Sequence, residues 1–133
     1  MAKYIKGIQH VAIKCGNVDN FNKVTDFYTN VLELDTVRTW TNGDGSLGAM
    51  LDTGNGLLEI CSDGDPKEQP GGLHHLALYS DDVDGCVAQI KAAGYDVLIG
   101  PEDLTIPSNP PYVARAAFLF GPLGEAIELF DPK

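Results

Sequence analysis

Positive charge is scarce in this chain. Nine Lys and Arg stand against 19 Asp and Glu, a net charge of -10. Such a chain repels a phosphate backbone and an anionic lipid surface alike, which argues against nucleic-acid and membrane partners. Long apolar runs are missing: no stretch nears the roughly 18 residues that a spanning helix needs. The opening Met1-Ala2-Lys3-Tyr4-Ile5-Lys6 has no apolar signal core. Cysteine is limited to Cys15, Cys61 and Cys86, with no Cys-x-x-Cys spacing. The expectation is reduced thiols in a cytoplasmic protein. A serine nucleophile elbow, a phosphate-cradling glycine loop and an HExxH motif are also absent. The 133 residues, 44% of them hydrophobic, suffice for a single domain with its own core.

What the chain does contain is written twice. Gly7-Ile8-Gln9-His10-Val11-Ala12-Ile13-Lys14 reads against Gly72-Leu73-His74-His75-Leu76-Ala77-Leu78-Tyr79, an offset of 65. The same offset relates Val18-Asp19 to Val83-Asp84. Farther on, Gly56-Leu57-Leu58-Glu59-Ile60 resembles Gly124-Glu125-Ala126-Ile127-Glu128-Leu129, with the two glutamates, Glu59 and Glu128, 69 apart. The second copy therefore carries about four more loop residues (69 against 65). A polar break from Ser62 to Gly72 separates module one, about 4–64, from module two, about 72–131.

Each copy has the same grammar. In module one, alternation puts His10, Ala12 and Lys14 on one strand face and Val11, Ile13 and Cys15 on the other. Asn17 or Asp19 can cap a helix with apolar positions Phe21, Val24, Phe27/Tyr28 and Val31/Leu32. Strands are expected at 37–41, 47–52 and 56–61, with a hairpin turn at Asn42-Gly43-Asp44-Gly45. In module two the first strand covers 73–79. Asp81 or Asp82 caps a helix through Val83, Cys86/Val87, Ile90 and Ala93, which Gly94 stops. Strands follow at 96–99, 114–120 and 125–130. The proline-rich stretch 101–111 reads as the longest structureless segment, a lid or a crossover. The fold class is α+β: two tandem βαβββ modules forming curved mixed sheets with helices on the outside, within a single domain of residues 1–133.

The duplication singles out four residues. His10 and His75 occupy equivalent points on the first strands, Glu59 and Glu128 on the last. Glu59 sits between Leu58 and Ile60, and Glu128 between Ile127 and Leu129, so each carboxylate points away from its apolar neighbours. Two carboxylates on one interior face repel unless a cation lies between them. Two imidazoles and two carboxylates form a mixed set for Ni²⁺, Zn²⁺, Co²⁺, Fe²⁺ or Mn²⁺. Four ligands leave two octahedral positions for water or substrate. His74 pairs with Gln9 in the repeat and is assigned outward. Asp81-Asp82-Val83-Asp84 reads as capping and dipole complementation. Cys15 and Cys61 fall next to the ligand strands and read as small buried hydrophobes, with a thiolate role as the alternative. Trp40 could line an apolar substrate pocket or pack in the core.

The segments His10-Val11-Ala12-Ile13, Phe27-Tyr28-x-x-Val31-Leu32-Glu33-Leu34, Leu58-Glu59-Ile60, His75-Leu76-Ala77-Leu78 and Gly121-Pro122-Leu123-Gly124-Glu125-Ala126-Ile127-Glu128-Leu129 resemble the vicinal oxygen chelate superfamily. This is the glyoxalase I, bleomycin-resistance and extradiol dioxygenase group, and the resemblance spans essentially the whole chain. The His-Glu-His-Glu set is similar to compact bacterial glyoxalase I (lactoylglutathione lyase). The resemblance implies a metalloenzyme, an isomerase or lyase with one divalent ion per site held by His10, Glu59, His75 and Glu128. It implies a homodimer with sites completed across subunits, or copies paired within one chain. It implies proton transfer through a metal-chelated enediolate, with Glu128 as the base and Glu128 or Glu59 returning the proton.

Related members define the alternatives. Extradiol dioxygenases typically lack the carboxylate at the place of Glu59, and bleomycin-resistance proteins typically lack the metal set and bind small molecules. Methylmalonyl-CoA epimerase generally has Gln at that place and a Glu base in the region matching 41–52, where this chain has none. On the substrate side, Lys14 and Asp63 stand where glyoxalase I has an Arg and an Asn that hold glutathione. Lys14 can meet a carboxylate as a point charge, whereas Asp63 opposes an anionic carrier. Arg115 is a further candidate anchor for an anionic substrate, alongside Lys14, Asp63 and Trp40, or else a member of a surface salt bridge.

Overall fold

The computed structural model describes residues 2–31, 33–64, 72–121, 124 and 126–133. The expected roles of Leu32, Glu125, Pro122 and Leu123 and of the polar break at 65–71 fall outside the described residues. The elements run β1 (Ile5–Lys14), α1 (Val18–Asp26) with a π-helical turn (Phe27–Val31), β2 (Asp35–Thr41), β3 (Leu47–Asp52) and β4 (Leu57–Cys61). Then come β5 (Leu73–Ser80), α2 (Val83–Ala92), β6 (Val97–Ile106), β7 (Tyr112–Phe120) and β8 (Ala126–Pro132). The βαβββ grammar is thus present twice, and the chain is α+β. Among the described residues, no helix is long and apolar enough to cross a membrane.

The chain divides into two compact units. One comprises His10–His74 with Pro107–Pro111. Its strand order is β2-β3-β4-β1, with β1 parallel to β4 and the other pairs antiparallel. Helix α1 starts where Asn17 Oδ1 accepts from the Asn20 amide at 2.8 Å, which selects Asn17 over Asp19 as the cap. Its Phe21 and Val24, with Tyr28, pack against Ile13, Cys15, Ala49, Leu51 and Ile60. These are alternate residues of three strands, so the period-2 pattern of the sheet meets the 3.6 pattern of the helix on one face. The segment 107–111 joins this unit through an antiparallel bridge between Ser108 and Trp40.

The other unit comprises Met1–Gln9, His75–Ile106 and Tyr112–Lys133. Its strands run β5-β8-β7-β6, with β5 parallel to β8. Asp82 caps α2, its Oδ1 accepting from the Gly85 amide at 2.9 Å. Gly94 ends the helix region at a φ of 93°, as a glycine stop should. Val83, Cys86 and Val87 bury against Ala117, Leu119 and Leu129. Tyr4 and Ile5 join this core, and Lys6 pairs with Asp81 at 3.9 Å. The first residues of β1 thus serve the core of the second module, although the repeat reading grouped them with the first.

The expected structureless stretch 101–111 is largely strand: β6 continues through Pro101 to Ile106. The pairing of β6 with β7 shifts register between Ile99 and Glu102. Pro101, which has no N–H for a ladder, sits at that irregularity on the outermost strand, where proline is tolerated. Only 107–111 keeps the loop character expected of the whole.

Candidate functional site

The ladders place the four ligand-type residues in matching registers. In the first unit Ala12 stands opposite Glu59 across the parallel β1–β4 pair. In the second, Ala77 stands opposite Glu128 across the parallel β5–β8 pair. In each case the histidine lies two residues before the alanine, hence on the same face. His10 Nε2 approaches Glu59 Oε2 at 3.6 Å. His75 Nε2 lies 3.1 Å from Glu128 Oε2. Leu58 and Ile60 pack toward α1, and Ile127 and Leu129 toward α2, so both glutamates point away from the helices.

These are buried polar groups. His10 is 1% exposed, Glu59 8% and Glu128 4%. Burying a carboxylate costs several kcal/mol (roughly) unless hydrogen bonds, a counter-charge or a metal offsets the loss of water. Around Glu128 the same sheet face carries Ala77, Ala116 and Phe130, with Phe118 opposite it on β7. The Phe118 ring meets the His75 ring edge-on, with centroids 6.1 Å apart. Around Glu59 the face carries Met50, which stands opposite it on β3, and Arg38, which stands opposite Met50 on β2. The Cys61 thiol donates to Glu59 Oε1 at 3.5 Å. Burial pushes that thiol far up, with the neighbouring Glu59 adding to the effect, so it is a neutral S–H donor.

Lys14, on the His10 side of β1, binds both carboxylate oxygens of Asp63 at 3.0 Å. Burial lowers its pKa, but Cys61, Asp63 and Glu59 outweigh that, and the value ends above the usual one. The two residues that stand in substrate-holding places therefore occupy one another. Trp40 is buried on β2, and its ring lies against Gly48: a Cβ added there would come within 2.1 Å of Trp40 Cε2. It shares the face of Met50 and Glu59, because Trp40 pairs with Gly48 and Gly48 with Cys61.

Arg115 differs from the other candidates. It alternates with Ala117, which packs against α2, and so lies on the helix-covered face rather than that of Glu128. It donates to Asp84 at 2.8 Å and to Asp103 at 3.0 Å. Its hydrogen bonds to these carboxylates hold the guanidinium pKa above its ordinary value. Through these pairs Arg115 ties α2 to β6 and β7, the salt-bridge role that stood beside the anchor reading. His74 is exposed, in keeping with its outward assignment. Two neighbours were missed from sequence: Cys61 as a hydrogen-bond donor and Arg38 as a cation on the Glu59 face. Cys61 was legible, being two residues after Glu59 on a strand; Arg38 was not, because a register shift between Thr36 and Arg38 breaks the alternation of β2.

Each unit thus offers one imidazole nitrogen and one carboxylate oxygen, buried and adjacent. That is the donor chemistry of a borderline divalent ion, and the residues fit such a ligand.

Comparison with known proteins agrees with the twice-written pattern. The chain resembles a methylmalonyl-CoA epimerase from Mycobacterium tuberculosis, at 21% identity and a TM-score of 0.77, covering 100% of this chain and 93% of that one. A methylmalonyl-CoA epimerase solved with methylmalonyl-CoA and NH4+ gives 25% identity and a TM-score of 0.73 over 96% of this chain and 94% of that one. The 2,2',3-trihydroxybiphenyl 1,2-dioxygenase of Sphingomonas wittichii gives 23% and 0.66, with 98% of this chain covering 44% of the larger enzyme. A search of curated proteins finds no match. The family model for the Glyoxalase/Bleomycin resistance protein/Dioxygenase superfamily matches residues 7–129, a span that contains all four ligand-type residues. With that match reaching from β1 to β8, across both βαβββ modules, the chain belongs to this superfamily.

Proposed function

We propose that the His10–Glu59 and His75–Glu128 pairs hold one divalent ion in common, Ni²⁺, Zn²⁺, Co²⁺, Fe²⁺ or Mn²⁺, and that the protein is a metal-dependent isomerase. The pairs come from the two modules of one domain, or from two chains of a homodimer. The observation that carries this reading is the identical register of the pairs, Ala12 opposite Glu59 and Ala77 opposite Glu128. Such an ion, when bound, supplies a Lewis acid that stabilises negative charge on a substrate oxygen.

The chain's own residues supply the rest. Glu128, set among Ala77, Ala116 and Phe130, takes the proton from the carbon beside a substrate carbonyl. His75, in contact with Glu128, fixes where that carboxylate starts. Glu128 or Glu59 returns the proton. Trp40 and Met50 provide an apolar wall on the Glu59 side. Lys14 meets an anionic group of the substrate once it leaves Asp63.

Two substrates share this proton transfer. The His-Glu-His-Glu set favours the glutathione-methylglyoxal hemithioacetal, the substrate of a glyoxalase I reaction. The structural likeness to methylmalonyl-CoA epimerases supports the second reading, epimerisation of a 2-methyl acyl thioester. The test is turnover of both compounds by metal-stripped protein reloaded with Ni²⁺, Co²⁺ or Zn²⁺, with oxygen uptake on catechols as a control for dioxygenase activity. Metal-dependent conversion of either compound supports the isomerase. Protein that retains no ion and converts neither is a metal-free binding module.

A further inference from the structure

The duplication breaks beside the carboxylates. Two residues after Glu128, on the same face, stands Phe130, which is buried and packs against Tyr112 with ring centroids 5.6 Å apart. Two residues after Glu59 stands Cys61, whose Sγ lies 3.5 Å from Glu59 Oε1. The other oxygen, Oε2, is the one that faces His10 Nε2. The two oxygens of Glu59 thus have separate neighbours, and module two has no donor at the place of Cys61.

We propose that Cys61 is a positioning residue, whose thiol holds Oε1 of Glu59 so that Oε2 alone is presented beside His10. This deepens the metal-site reading and rests on it. Glu59 is then a one-oxygen ligand with a locked rotamer, whereas Glu128 has Phe130, and no thiol, two residues on along its strand. The asymmetry gives the two glutamates different tasks in otherwise matching modules. Groups that orient a ligand from behind tune metal affinity by roughly 10–100-fold.

The test has two arms. The first needs no metal: the infrared S–H stretch of Cys61, assigned by its loss in Cys61→Ala, is recorded in wild type and in Glu59→Gln. A hydrogen bond to a carboxylate lowers that frequency, and the weaker amide acceptor should let it rise. An unchanged band overturns the proposal. The second arm is Ni²⁺ binding by calorimetry. Cys61→Ala should bind about 10–100-fold more weakly, and Cys61→Ser, which keeps a donor, should recover most of the loss. Equal affinity in Cys61→Ala and wild type also overturns it. If the infrared shift appears but wild type binds no ion, the shared metal site falls and the thiol–carboxylate bond stands, so the two failures are distinguishable.

Discussion

At the scale of single residues, the site places similar groups in different surroundings. Glu128 is buried among alanines and aromatic rings, Glu59 beside a thiol and His10. Exchange of Glu128 for Gln keeps shape and volume while removing the base. The variant should keep its denaturation midpoint and lose turnover by roughly 10²–10⁴-fold, measured as kcat on whichever substrate is converted. Full activity would exclude Glu128 as the base. The Lys14–Asp63 pair has a pH signature. Lys14 titrates above its ordinary value of 10.5 in the folded protein, because the charges around it outweigh its burial. Its contribution to stability is therefore complete below that value and disappears as pH rises through the raised one. Asp63→Asn should be less stable than wild type by roughly 0.5 kcal/mol at pH 8, since the pair is partly exposed. The gap should close only in strongly alkaline solution, read as urea midpoints across pH. A gap that closes near neutrality would mean a different group is responsible.

At the scale of elements, the strands that carry the site depend on close contacts elsewhere. Trp40 and Gly48 face each other across the β2–β3 ladder, and the indole fills the space where a side chain would stand. Gly48→Ala should destabilise by about 1–3 kcal/mol, the usual cost of overpacking. Tryptophan fluorescence should shift as the ring is displaced; an unshifted spectrum with full stability would mean that the ring is not seated on Gly48. Helix α2 is held at its start by Asp82, and Asp82→Ala should cost about 1 kcal/mol in chemical denaturation. That loss should leave turnover unchanged, because the cap lies on the element that covers the other face of the sheet. The apolar stripes of both helices, the caps and the turn at Asn42–Gly45 were readable from local pattern. Strand β6 was not, because Pro101 and the prolines that follow the strand read as loop while the ladder with β7 holds the chain extended.

At the scale of the whole molecule, the central question is whether two His–carboxylate pairs serve one ion. If they do, either module alone is an incomplete site. His10→Ala and His75→Ala should then lose the ion equally, each retaining far less than one equivalent by elemental analysis. One variant keeping full occupancy would show that a single module suffices. Wild-type protein should bind about one divalent ion per four-residue set. Free metal at about 100 times its dissociation constant should raise stability by about 2.7 kcal/mol, and a chelator should reverse the gain. The net charge of -10 favours cation capture in general, so the proton-transfer assay, and not binding alone, decides the function.

Local order determined the elements other than the full length of β6, and sequence alone was enough for those. Period-2 and period-3.6 apolar patterns specify which face of each strand and helix is buried, whatever the rest of the chain does. The repeat also marked His10, Glu59, His75 and Glu128, because duplicated positions inherit duplicated surroundings. Pairing across distance was left to the tertiary structure. It decided that β1 lies beside β4 and β5 beside β8, which brings residues 49 apart in the chain (His10 and Glu59) into a contact at 3.6 Å. It set Arg115 on the helix side with Asp84 and Asp103, and joined Lys14 to Asp63. Which partner a charged side chain meets depends on strand order and register, and those are settled by burial of the whole apolar surface, which no local window contains.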